Sequence, residues 1–428
     1  MIVLAVSLLL VPAFAETSKV TSLDAAVRNA IKEHPALSAI RQSQEARKNE
    51  IDIARGSLFP SIDVRAASGQ EESENSTVVN AGDQHLALTR LDTSLVVRQQ
   101  LYTGGRIKHS IARSRHLASE VFYGYLDEKE RTVFNAIDAY LAYNRNKELL
   151  LLSNENVRIH EEILSIVSKR KKNKMASSAD VIQVKGRLAL AKAQLRRELA
   201  NRDSVRAQFV EAIVAEPASN VGRPVEHNQN LPKNLVSAKN IAVTTHPALS
   251  ARAKNIEAAK SSVAEAASAF YPQVALELRF QENDNTAGTE SNSDSASALI
   301  IVDWNLFRGG SDKATTRARL SQVSQGEDQL LDEKRKIVRN TAVAWHTYRG
   351  TLVELNYFKQ HEKASKETLK AYKGQYKLAK RTLFDLLNSQ NELFLASSRV
   401  IETDYAKIRA VYNIFANMGN VSSLFDKK

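Results

Sequence analysis

The 428-residue chain has no cysteine, 8 prolines, 15 glycines and only 6% aromatic residues. Without cysteine there is no disulfide scaffold, thiolate zinc site, cysteine nucleophile or lipid-modified N-terminal cysteine. The prolines stand at 12, 35, 60, 217, 224, 232, 247 and 272, which leaves 61–216 and 273–428 free of proline. Long apolar runs are also missing. The one apolar stretch, Ile2–Ala15, is shorter than the ~20 residues of a membrane-spanning helix. It ends in Ala13-Phe14-Ala15 and reads as a signal peptide over 1–15 cleaved before Glu16, although the usual basic start is absent. Export without a helical anchor leaves the periplasm, the outer membrane or the exterior. No HExxH, GxSxG, P-loop or GxGxxG occurs and the nine histidines are scattered, so neither an enzyme, a metal site nor a cofactor site is expected.

What is present is a duplication. HPAL occurs at 34–37 and at 246–249, and Phe59-Pro60 with Tyr271-Pro272 keeps that offset of 212. Leu101-Tyr102-Thr103-Gly104-Gly105 then matches Leu306-Phe307-Arg308-Gly309-Gly310 at an offset of 205. The shorter offset persists through Ala139-Tyr140 with Ala344-Trp345, Tyr143 with Tyr348, and Asp180-Val181 with Asp385-Leu386. One loop therefore lost seven residues, and the rest kept its length. The expected organisation is a first repeat at 16–216 with a β-hairpin at 58–103, a linker at 217–236, and a second repeat at 237–428 with a β-hairpin at 271–308.

Within each repeat the hydrophobic period switches from helix to strand and back. Residues 22–57 and 237–270 are Ala-rich, with apolar residues three and four apart, and read as one helix each. Beyond the FP and YP pairs the period becomes two. Ile62 and Val64 alternate with Asp63 and Arg65, and Leu91, Thr93, Leu95 and Val97 with Asp92, Ser94 and Arg98. In the second repeat Val274, Leu276, Leu278 and Phe280 share one face, as do Ala296, Ala298, Ile300, Val302, Trp304 and Leu306. Strands of about ten residues suffice to cross a bilayer when tilted. The loops at 71–84 and 281–294 hold four acids each and no Lys or Arg, so a net charge of +12 conceals an uneven distribution.

From Gly105 to about Lys172 and from Gly310 to about Lys380 only single glycines interrupt, giving helices of ~70 residues, or ~100 Å at 1.5 Å per residue. Return helices follow at 179–215 and 384–416. Their heptad-like positions are Val181, Val184, Leu188, Ala191 and Leu195, then Leu386, Ser389, Leu393, Ala396 and Val400. Four strands cannot close a barrel, and an open sheet edge cannot face lipid. Strands that span a membrane here must come from several chains; three would supply twelve. The alternatives are a soluble sheet attached to a helical bundle, a periplasmic adaptor (membrane fusion) protein, or a secreted coiled-coil protein. An adaptor would carry one hairpin between β-domains, and a coiled coil would not need period-two segments.

These ordered motifs, found twice over nearly the whole mature chain, resemble the TolC-like outer-membrane efflux protein family. The resemblance implies a mainly α chain with transmembrane β. It implies a homotrimeric 12-stranded β-barrel in outer-membrane lipid, continuous with a long periplasmic α-helical barrel. It also implies a non-enzymatic exit duct with no cofactor, docked on a periplasmic adaptor protein and an inner-membrane pump. An ABC transporter would make it a type I secretion duct, the preferred reading; a proton-driven pump would make it a multidrug efflux channel. By the same resemblance, Tyr376 and Arg381 make the interhelical contacts of a gate at the periplasmic tip. Asp385 lines its constriction, with Asn388 where a second acid is usual. Lys174 and Ala379 stand where the tip glycine is usual. The run Lys169-Arg170-Lys171-Lys172-Asn173-Lys174 reads either as a solvated turn or as a patch for an acidic adaptor surface. Lys171, Lys172, Lys174, Ser177 and Asp180 are the docking candidates. Nucleic acid is not an expected partner, because no binding motif accompanies the run.

Overall fold

Each His-Pro pair divides what the periodicity reads as one helix. In the computed structural model, which describes residues 19–72, 87–286 and 290–426, α1 (Leu23–Glu33) stops at His34 and α2 (Pro35–Gly56) begins at the proline. The second copy repeats the break with α5 (Leu235–Thr245), His246 and α6 (Pro247–Ala267). The cause is local: the residue before proline is pushed to extended backbone, and both histidines are extended, at ψ 124° and 121°. The HP pairs thus join two helices in each copy. The signal segment, most of the 71–84 loop and residues 287–289 lie outside the described residues.

The remaining elements in chain order are β1 (Lys19–Val20), β2 (Ser61–Glu72), β3 (Ala87–Tyr102), α3 (Arg106–Lys172), α4 (Ser178–Ile213), β4 (Glu216–Pro217), β5 (Gln273–Asp284), β6 (Asn292–Asp303), α7 (Ser311–Lys377) and α8 (Leu383–Met418). Helices α3 and α7 both have 67 residues, α4 and α8 both have 36, and every end is offset by 205. The left-handed backbone positions follow the same rule. Of the nine described residues with positive φ, eight form pairs 205 apart: Gly104 and Gly309, Gly105 and Gly310, Lys174 and Ala379, Val214 and Gly419.

The chain divides into two units. One (Arg41–Gly124 and Ala248–Glu333) holds an antiparallel sheet of order β2-β3-β5-β6. Its register places Ile62, Val97, Leu278 and Ala298 in one row, and Val64, Leu95, Phe280 and Ala296 in the next. That face is apolar and open, with Val64 74% and Ile300 70% exposed. The opposite face carries Asp63, Arg65, Arg98, Glu277, Arg279 and Asp303. There Glu277 is buried between Arg279 (2.9 Å) and Arg98 (3.9 Å), while Arg98 also reaches Asp303 at 3.7 Å. An apolar face backed by a more polar one is the alternation of a strand with lipid on one side and water on the other. Sequence alternation predicts a strand through Leu306, yet β6 stops at Asp303 opposite Gln273, the first residue of β5. Residues 304–307 have no partner strand left to pair with.

The other unit (Met1–Ile40, Tyr125–Pro247 and Lys334–Lys428) packs the C-terminal parts of α3 and α7 against α4 and α8. The segment at 217–236 is tied down there. Tyr140 donates to the Gly222 carbonyl at 2.7 Å and Tyr412 to that of Val225 at 2.8 Å. Burial pushes the Tyr140 hydroxyl up to about 12, so it stays a donor. Lys407 bridges Glu226 (2.7 Å) and Asp404 (3.2 Å), and Arg223 also pairs with Asp404. Among the described residues no helix is long and apolar enough to cross a membrane.

Candidate functional site at the hairpin tips

Both helical hairpins turn by the same hydrogen bonds. After α3, the Met175 N–H donates to the Arg170 carbonyl (2.8 Å) and the Lys174 N–H to that of Lys171 (2.9 Å). After α7, Lys380 N–H donates to Gln375 (2.9 Å) and Ala379 N–H to Tyr376 (3.1 Å). This six-to-one plus five-to-two pair is a Schellman cap. It requires a left-handed residue, and Lys174 (φ 59°) and Ala379 (φ 57°) adopt that conformation despite their Cβ atoms.

The return helices then open with a capping box each. The Asp180 carboxylate accepts from the Ser177 N–H (2.8 Å) and hydroxyl (2.9 Å), while Ser177 Oγ accepts from the Asp180 N–H (3.0 Å). In the second copy the Asp385 carboxylate accepts from the Thr382 hydroxyl (2.8 Å) and N–H (3.3 Å), and Thr382 Oγ1 accepts from the Asp385 N–H (3.2 Å). Ser177 and Asp180, named as docking candidates, and Asp385, named as a constriction residue, therefore all hold helix N-termini. The S-x-x-D and T-x-x-D spacings carry that signal in the sequence.

Tyr376 lies at a contact between copies. Its ring sits beneath the Arg170 guanidinium (4.8 Å), its carbonyl accepts from Arg170 (3.3 Å), and it packs on a core of Ile163, Val167, Val184, Leu383 and Leu387. A cation over an aromatic face contributes ~0.5–1 kcal/mol at a partly exposed site. Asn388 makes the second link, accepting from Arg187 at 2.9 Å. Arg381 stays within its own hairpin. It lies over Tyr372 (4.5 Å), donates to Gln375 (3.0 Å) and approaches Asp385 at 3.9 Å. Lys171, Lys172 and Lys174 are exposed at the first turn. Arg170, Arg187, Tyr372 and Gln375 complete the constellation; Arg170 stood out only as one of the basic run, and the other three carried no sequence signal of their own. Among the described residues no group of side chains could hold a metal.

The sequence pattern described as "Outer membrane efflux protein" matches residues 26–213 and 240–420, one copy each. The chain belongs to the outer membrane efflux protein family. Outer membrane efflux protein BepC of Brucella suis biovar 1 is 20% identical over 403 residues, covering 94% of this chain and 86% of that one. A crystal structure of a membrane protein from Pseudomonas aeruginosa superposes with a TM-score of 0.83 at 17% identity, over 94% of this chain and 91% of the other. The CmeC outer membrane channel of Campylobacter jejuni gives 0.80 at 13% identity, over 94% and 88%. As a member of this family the chain is an outer-membrane efflux channel, and the family is one of channels rather than of enzymes. The family works in tripartite systems, with an adaptor and an inner-membrane pump.

Proposed function

We propose that the chain is the exit duct of a type I protein secretion machine, a homotrimer whose three sheets make one twelve-stranded barrel. The open sheet carries this reading. Strands β2 and β6 are its two edges, its apolar face is uncovered, and four strands cannot close. The repeat supports a ring. A Cβ on Gly104 would lie 2.7 Å from Tyr271 Cβ, whereas no atom lies within 4 Å of one on Gly309. Tyr271 corresponds to Phe59, which is 69% exposed. Phe59 of a neighbouring copy fills the place over Gly309 that Tyr271 fills over Gly104. Detergent-solubilised protein should have three times the mass of its own denatured chain; a stable monomer would overturn the assembly.

The tip is the gate in this reading. Tyr376 with Arg170 ties one hairpin to the other, Arg381 braces its own turn against Tyr372, and Asp385 and Asn388 line the constriction. Replacing Tyr376 and Arg381 by alanine together should raise the current through the protein in a planar bilayer several-fold; an unchanged current removes their gating role. Lys171, Lys172, Lys174, Ser177 and Asp180 face an acidic adaptor surface, so Lys171→Glu with Lys172→Glu should abolish adaptor copurification. The second reading is small-molecule efflux through a proton-driven pump, favoured by the name of the Brucella suis relative as an efflux protein. Copurification from cells separates the two, since an ATP-driven transporter accompanies secretion and a proton-driven one accompanies efflux.

A further inference from the structure

We infer that the periplasmic mouth of this channel selects anionic cargo, whether anionic solutes or acidic stretches of polypeptide. The inference rests on the duct reading above and adds the charge class of what passes. Residues 169–187 contain seven Lys or Arg and one acid, and residues 370–388 contain five and one. Two short segments around the turns thus hold nearly all of the chain's excess of +12.

The structure distinguishes this charge from an ordinary solvated helix surface. Away from the tips the signs interleave and pair: Arg158 with Glu155 (2.7 Å) and Glu162 (3.7 Å), Lys192 with Glu161 (2.9 Å), Arg409 with Asp138 (2.6 Å). At the tips Lys169, Lys171, Lys172, Lys174, Lys377 and Lys380 are exposed and form no ion pair among the described residues. The two tip carboxylates, Asp180 and Asp385, are committed to capping boxes, where each faces the positive end of a helix. Asn388 adds no charge, and its amide oxygen is held by another cation, Arg187. The turns therefore keep a large excess of positive charge. A ring of like charge at a pore mouth sets its ionic preference and raises the local concentration of the opposite sign.

The test uses the purified full-length protein in a neutral planar bilayer under a KCl gradient, with no adaptor present. The reversal potential should take the sign of an anion-preferring pore. It should fall toward zero near 1 M salt, where the Debye length shrinks from ~8 Å to ~3 Å. Lys171→Gln, Lys172→Gln and Lys174→Gln together should lower the anion-to-cation permeability ratio at least about threefold, and the matching Glu variant should invert it. A wild-type pore that prefers cations, or a ratio that the tip variants leave unchanged, overturns the inference and leaves the duct intact. A protein that assembles but passes no current overturns the duct reading and this inference together.

Discussion

The two helical hairpins share a skeleton to the residue and differ in what covers it. Both have 67 residues down and 36 back, a left-handed residue at the turn, and a capping box after it. Yet α4 buries six side chains and α8 buries seventeen. The backbone hydrogen bonds of a turn accept many side chains, so its geometry survives even with Lys174 or Ala379 at the strained position. Side-chain surfaces carry no such constraint. The second copy has become the core helix with the tyrosines, and the first holds the longest run of cations. Duplication kept what local bonding fixes and let the rest specialise.

Four substitution pairs sharpen or break this comparison. The largest effect belongs to the ends of the return helices. A Cβ on Gly419 (φ 72°) would lie 2.6 Å from Pro247 Cδ and 2.8 Å from His246 Cα. Gly419→Ala should therefore cost about 3 kcal/mol in denaturant unfolding. Its counterpart Val214 (φ 58°) already bears a side chain, and Val214→Gly should change stability by no more than about 1 kcal/mol. Equal losses at the two sites would mean the copies end alike.

Next come the glycines after the strands. Gly104→Ala meets Tyr271 Cβ and the Ser268 carbonyl (2.8 Å) and should cost about 2 kcal/mol. In the assembled protein Gly309→Ala should cost the same, with a neighbour's Phe59 above it; a loss near the bare left-handed penalty of about 1 kcal/mol would mean the space stays open. Removing the caps by Ser177→Ala or Thr382→Ala should cost about 1 kcal/mol each, read as a lowered thermal midpoint. The smallest effect is a gain: Lys174→Gly and Ala379→Gly should each stabilise by about 0.5–1 kcal/mol, because glycine occupies the left-handed region freely. A loss there would show that the Lys174 or Ala379 side chain packs in the assembly.

Much of this was legible in the sequence, and the exceptions have definite causes. The offset of 205 located the long helices, because proline-free apolar periodicity over that length admits no other regular structure. Period-two alternation located all four strands and their apolar faces. It overran β6, since alternation continues in the chain after the neighbouring strand has ended. The His-Pro breaks were present in the sequence as a restriction on the residue before proline. The capping boxes stood in S-x-x-D and T-x-x-D. Arg170 with Tyr376 and Arg187 with Asn388 had no comparable signal. They join different copies, and their meeting depends on how one hairpin is rotated against the other, which neither offset nor period encodes.

The two edge strands have a consequence for the life of a single chain. Until β2 and β6 find partners, each margin presents a row of free amides and carbonyls beside an apolar face, a template on which any extended segment can zip. A newly exported chain is thus adhesive along both margins at once, and its safe lifetime alone is set by how soon it meets its own kind. Lower expression would then not simply yield fewer channels. It would lengthen the solitary interval and divert a growing share of chains into aggregates, a supply threshold written into two strand edges.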